Sequence, residues 1–404
     1  MKALVISTAA PDATSENQTG STNWTLRLLR LLSYNHEITL LAPPPLDEPF
    51  LKQAAFSIIE CPPDNHFGKC ARFIKSLRWK IYPSMWHQRS SKIERSLAEA
   101  TGDSFDVCWL LDDYAGMYLR EVPRNLPIVF CRHFVLNMGL PVKSEERNLA
   151  SIIKLGWHRR LATSFDRWTA KHSNITVVGT EESRGNLHSL APDAKIIYFP
   201  TKPCYLPKPI AAKSILRSKR ADKRIVAVFV GDMSFPRNED AVDWLISKAL
   251  PLLSEEEISH FHFKFIGRTN KEKMENKASA GNSSVEFTGF VDDLSSHLAD
   301  AQCTVIPVFG GNGVRIKTVT LLGSGLPAVS TKDGIEGLPI KNGVDAIIAN
   351  NPKSFAEGLR QMLDVNKRKS LAANCRIAMA SFLSEDEDAN EIMRISEQAI
   401  KANF

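Results

Sequence analysis

Apolar residues along this chain fall into short runs separated by glycine, proline and polar clusters. KALVIS, HEITLLA, FSIIE, DVCWLL, PIVFC, NITVVG and KIIYF read in turn as buried strands. Between them, STNWTLRLLRLLSY spaces its leucines for one face of a helix, and SEERNLASIIKLGWHRRLATSFDRWTAKH reads as one or two long helices. FPTKPCYLPKP then breaks the pattern with prolines, as a linker does. The alternation restarts with strand RIVAVFVG, turn DMSFPRN, helix EDAVDWLISKALPLL, strands FHFKFIG and VEFTGF, helix DDLSSHLADA and strand CTVIPVF. A glycine loop, a helix and the short strands PAVST and DAIIA follow, and the chain closes on three helical segments beginning at Asn351, Lys367 and Glu385.

Strand and helix in alternation predict an α/β protein built on mostly parallel sheets. The interruption predicts two Rossmann-like domains facing across a cleft: residues 1–205, a linker at 206–224, and residues 225–404 carrying the terminal helices. In such domains ligands sit at the carboxyl ends of the strands.

Charge sharpens this division. The net +6 of the chain splits into +5 for residues 1–205, +6 for the linker and −5 for the remainder. A basic first half suits nucleic acid or an anionic membrane surface, but no zinc-finger, RNP or basic-zipper pattern supports nucleic acid. Seven scattered cysteines without a CxxC pair predict free thiols and no metal site. The apolar runs are too short to span a bilayer, and MKALVISTAAPD lacks the apolar core of a signal peptide, so a cytoplasmic protein is expected. From Lys69 to Arg95, lysine and arginine interleave with Phe73, Trp79, Tyr82 and Trp86. That pattern suits peripheral contact with anionic lipid, or equally a core helix with a solvated basic face.

The richest stretch is VIPVFGGNGVRIKTVTLLGSGLPAVST, from Val305 to Thr331. A glycine loop entering a helix presents backbone N–H groups to an anion. Arg315 and Lys317 stand at the end of that helix where positive charge is unfavourable without an anion to meet it; the alternative is that both are paired with acidic neighbours. The loop is neither a Walker sequence nor a complete GxGxxG fingerprint.

In order, VGDMSFPRNEDAVDWLISKALPLL, FKFIGR, VEFTGFVDDLSSHLADAQCTVIPV, GNGVRIKTVTLLGSGLPAVST and GIEGLP resemble the donor domain of family 4 glycosyltransferases (glycosyl transferases group 1), over roughly residues 225–365. The resemblance implies the GT-B fold. It also implies a retaining transfer of sugar from a nucleoside diphosphate sugar to a glycan, lipid-linked or other hydroxyl acceptor, without metal or further cofactor, as in polysaccharide biosynthesis. By the same likeness, Arg315 and Lys317 lie beside the donor diphosphate, with Gly311, Asn312, Gly313, Val314 and Thr318 around them. Thr320 stands where the family commonly has a ribose-binding glutamate, and Asn312 where many members have an acidic residue eight positions earlier.

Gly231 ends the first strand of that domain. Arg237 loosely matches a basic residue near the donor, against the alternative of a surface turn before an N-capping Asn238. Asp333 and Glu336 match a segment near the donor. His133, just past a strand, matches a histidine that contacts the donor sugar. Asp112 and Asp113 either orient an acceptor hydroxyl or cap the next helix. The resemblance also allows the last helix to pack back on the first domain. Two other functions stay open at this stage, a nucleotide-sugar epimerase on the same plan and a binding or scaffold protein without catalysis.

Overall fold

The computed structural model describes the chain except residues 12–19, 47, 53–54, 65–84, 86, 101–103, 134, 137–148, 205–209, 211–223, 270–284, 311–313 and 404. The chain forms two compact units, Met1–Cys204 with Glu385–Phe404, and Tyr205–Ser384.

The first unit is built on a seven-stranded sheet. Its strands are β1 (Lys2–Ile6), β2 (Glu37–Ala42), β3 (Phe56–Glu60), β4 (Val107–Leu110), β5 (Ile128–Arg132), β6 (Ile175–Val178) and β7 (Ile196–Tyr198), in the order β3-β2-β1-β4-β5-β6-β7. All neighbours run parallel. The central strands β4, β5 and β6 are buried along their whole length, which explains why they read as apolar runs rather than as alternation, while the edge strand β3 is largely exposed. In β1, Ala3 and Val5 join the core that includes Leu28 and Leu32 of the helix Gly20–Ser33, while Leu4 and Ile6 join the opposite core with Ile93 and Phe165. The order reverses between β1 and β4, the switch point where open parallel sheets leave a crevice.

The second unit has six parallel strands in the order β10-β9-β8-β11-β12-β13. They are β8 (Ile225–Val230), β9 (Phe261–Ile266), β10 (Val285–Gly289), β11 (Cys303–Ile306), β12 (Ala328–Ser330) and β13 (Ile347–Ile348). Here the switch point lies between β8 and β11. EDAVDWLISKALPLL, read as one helix, begins earlier and changes pitch: an α-helix over Pro236–Trp244, a π turn over Leu245–Ala249 and a 3-10 turn over Leu250–Leu252. Pro251 lacks the N–H that another α turn would need.

One boundary is corrected. The final helix, Glu385–Lys401, belongs to the first unit and not to the carboxyl-terminal domain. Its apolar stripe of Ala389, Ile392, Ile395 and Ala399 joins the core containing Leu28 and Trp109. Its buried Asp388 accepts from Arg27 Nη2 at 2.7 Å and from Lys202 Nζ at 2.7 and 2.9 Å. Ser396 Oγ takes a hydrogen bond from Trp109 Nε1 at 3.2 Å and lies 3.0 Å from His36 Nε2. Among the described residues this stripe and this charge find their partners on the first unit, and they decide where the helix packs. Of the expected linker, Ile210 is buried against the second unit, its N–H donating to the Ser324 carbonyl. Most of the linker and of the basic–aromatic stretch lies outside the described residues. Among the described residues no helix is long and apolar enough to cross a membrane.

A candidate diphosphate site in the second unit

The site is assembled at the carboxyl ends of β8, β11 and β12. After β11 the chain passes Gly310, whose φ of +65° is a left-handed conformation that glycine adopts without strain. The Gly310 N–H donates to Asp333 Oδ2 at 2.7 Å, tying this loop to the turn after β12. Arg315 then takes an extended conformation at the N-cap of the helix Ile316–Gly323. Its guanidinium donates to the carbonyls of Asp333 at 3.0 Å and Gly310 at 2.5 Å, so the same two loops are clamped again from above. The helix follows from the apolar run and the absence of an early breaker; Val319 and Leu322 are buried on one core and Leu321 on another.

Lys317 lies in the first helical turn, where exposed N–H groups already carry partial positive charge. Its ammonium sits 4.7 Å from the centre of the Phe229 ring and donates to Asn238 Oδ1. A Cβ at Gly231, just after β8, would come within 3.2 Å of that nitrogen. Burial, then the like charges of Arg315 and Arg237, push the Lys317 pKa down to about 7. Arg315 is also lowered, first by burial and then by Arg237, with Glu336 and Asp333 pulling the other way. Three cations therefore converge here, with an exposed Arg237 at the rim.

The remaining expected residues take varied positions. Asn238 is not an N-cap: Phe235 holds that place, and Asn238 lies inside the first turn with its side chain toward Lys317. Thr318 and Thr320 direct their hydroxyls to the Gly334 and Ile316 carbonyls, at 2.9 Å each. Val314 packs on the core, and Glu336 is exposed. Gly311, Asn312 and Gly313 lie outside the described residues.

In the first unit, His133 follows β5 with its ring edge-on to Trp24, the centroids 5.9 Å apart. Burial lowers its pKa to about 4, so at neutral pH it offers a neutral ring and not a cation. Asp112 caps the turn after β4. It accepts from the N–H groups of Tyr114 and Ala115, and also from Thr8 N, Thr8 Oγ1 and Ser7 Oγ. Asp113 lies 3.9 Å from the fully buried Arg132, which pairs with Asp166 at 2.5 Å. Beside these groups, at the switch point, Thr8, Thr25, Gln88, Asp113 and Tyr114 help line a cavity of about 140 Å³. That volume is well above the roughly 10–15 Å³ needed to hold a single water. The sequence reading missed Gln88 and Thr8, because nothing local marks residues 80 positions apart as neighbours. Among the described residues no cluster of three His, Cys, Asp or Glu is arranged to hold a metal ion.

Known structures share this architecture. Sucrose-phosphate synthase from Thermosynechococcus elongatus matches with a TM-score of 0.68 and 12% identity over 99% of both chains. HepE from Anabaena, solved with UDP, matches with a TM-score of 0.63 and 12% identity over 98% of this chain and 99% of that one. The lipopolysaccharide outer core galactosyltransferase WaaB, in its apo form, gives 0.59 and 14% over 97% and 99%. The fold of this chain is GT-B. Residues 224–365, which carry the cation site, match the family described as glycosyl transferases group 1. A Klebsiella pneumoniae protein described as an uncharacterized 44.6 kDa protein in the cps region is 25% identical over 173 residues. That stretch is 41% of this chain and 43% of the relative, so under half of the curated relative is spanned.

Proposed function

We propose that this protein is a glycosyltransferase that moves a sugar from a nucleoside diphosphate sugar to a hydroxyl of a glycan or lipid-linked acceptor, in glycoconjugate or polysaccharide assembly. The observation that carries this reading is the convergence of Arg237, Arg315 and a half-buried Lys317 at a helix N-terminus, at the switch point of the second sheet. A diphosphate is the ligand that such a site needs. The match of residues 224–365 supports the same assignment.

In this reading the second unit holds the donor. The bond between the sugar's anomeric carbon and the diphosphate oxygen breaks as the acceptor oxygen attacks from the same face, and the acceptor proton passes to the departing phosphate. The anomeric configuration is retained. Arg315, Lys317 and nearby amides neutralise the leaving group in the role a divalent metal takes elsewhere. The switch-point cavity of the first unit takes an acceptor hydroxyl group. HepE was solved with UDP, which makes UDP the first nucleotide to test.

Incubation with UDP-, GDP-, ADP- and TDP-sugars and oligosaccharide acceptors, read by mass spectrometry, tests the activity. The expected result is an acceptor heavier by one sugar, with its new linkage in the donor's anomeric configuration by NMR. A free epimer without transfer, or nucleotide binding without any product, would replace this reading with an epimerase or a binding protein. The stretch Lys69 to Arg95 supports peripheral membrane contact as part of the proposal. Sedimentation with anionic vesicles is expected to weaken as salt rises, because charges are screened over about 8 Å at physiological ionic strength. Equal binding to neutral vesicles, or none to either kind, would reject the contact.

A further inference from the structure

Lys317 is held by a neutral amide although carboxylates stand on the surrounding loops. Asp232 directs Oδ1 to Ser234, accepting from its N–H at 2.9 Å and its hydroxyl at 2.5 Å. Asp333 binds the Gly310 N–H, and Glu336 acts on Arg315. Asn238 cannot turn its amide around freely, because Nδ2 donates to the Asp232 carbonyl at 2.7 Å. That bond leaves Oδ1 facing Lys317 Nζ. The residue stands in the first turn of the helix Pro236–Trp244, so the acceptor is mounted on a rigid element. Phe229 closes the ammonium's other side.

We propose that Asn238 is a positioning residue for the donor site: its amide fixes Lys317 Nζ beside the phosphate position while leaving the ammonium's charge uncompensated. This rests on the donor-site reading above. A carboxylate at this position would hold the nitrogen equally well, but would pair with it and oppose an incoming phosphate. With an amide, the nearby charges acting on Lys317 are Arg315 and Arg237, both repulsive, and together with burial they bring its proton to the point of leaving near pH 7. A bound diphosphate reverses that balance. Binding at pH 8 therefore draws up to one proton from solution onto Lys317.

The test is calorimetry of UDP and of inorganic pyrophosphate on the full chain at pH 8, in two buffers of different ionisation enthalpy, with Asn238→Asp and Asn238→Ala beside the wild type. Wild type is expected to take up a proton on binding. Asn238→Asp, whose Lys317 is already protonated, is expected to lose that uptake and bind about tenfold more weakly or worse. Asn238→Ala keeps the uptake but binds several-fold more weakly, as a loosened lysine would. A merely structural asparagine predicts lower melting temperatures with unchanged proton uptake in both variants. An Asn238→Asp variant that binds and takes up protons like wild type overturns the role of Asn238. A wild type that binds neither anion overturns the donor-site reading itself, and this role with it.

Discussion

Lys317→Ala is expected to lower kcat about a hundredfold while leaving the protein folded. Losing one preorganised contact to a leaving group typically costs about 3 kcal/mol in the transition state, or roughly two orders of magnitude in rate. The loss falls on kcat, beyond any rise in KM, because the additional negative charge appears only as the glycosidic bond breaks. Stability moves the other way. Lys317 has a folded pKa of about 7, below its ordinary value of 10.5. Between those pH values the unfolded chain binds more protons than the folded one, so this residue makes stability rise with pH across that window. Below pH 7 the charged, half-buried ammonium is a net cost to the fold. Removing it is expected to raise the melting temperature at pH 6 and to flatten the rise above pH 7. A variant that melts early at pH 6 yet turns over normally would show that Lys317 serves the fold rather than a phosphate.

Asp388→Asn should produce the opposite pair of effects. Asp388 is buried between Arg27 and Lys202, and Lys202 is lowered by burial despite the carboxylate's pull. The isosteric amide keeps the shape and leaves two cations buried around a neutral group. Breaking a buried pair in this way costs about 3–5 kcal/mol. At roughly 2–4 °C per kcal/mol for a unit of this size, the melting temperature should fall by about 6–20 °C. Turnover per folded molecule should hold, since Asp388 belongs to the clasp of the final helix. A melting temperature within about 2 °C of wild type would mean that the helix is held by its apolar stripe alone.

The two substitutions also mark what sequence could and could not reveal. The central strands β4, β5, β6 and β11 were legible because they are buried along their whole length, so each reads as a short apolar run bounded by turn residues. The place of Arg315 and Lys317 at the start of a helix was legible because a glycine loop precedes an apolar run there. The helix Glu181–Leu190 was not: among its side chains only Ser183 and Leu187 are buried, too few for a visible period. The final helix could not be placed from its own residues, although the family resemblance allowed it to pack on the first domain. Its apolar stripe fits any core, and the partners of Asp388 lie 361 and 186 residues away. An N-capping Asn238 was one of two readings open from sequence, since asparagine is a common helix start. Its true partner, 79 residues on, leaves no local trace. The capping role of Asp112 was one of two readings open from sequence, and the structure shows the carboxylate engaged by the residues it caps and by Ser7 and Thr8.

The central claim is that the cations after β8 and β11 hold a nucleoside diphosphate. It is tested most directly by titrating UDP, GDP, ADP and TDP into the wild type and into an Arg315→Ala, Lys317→Met double variant at pH 7. The account predicts that at least one nucleotide binds the wild type and that the double variant binds it at least a hundredfold more weakly. Two lost hydrogen bonds to charge, at about 1.5–3 kcal/mol each, require at least that much. Equal affinity in the double variant, or no binding of any of the four to the wild type, would contradict it.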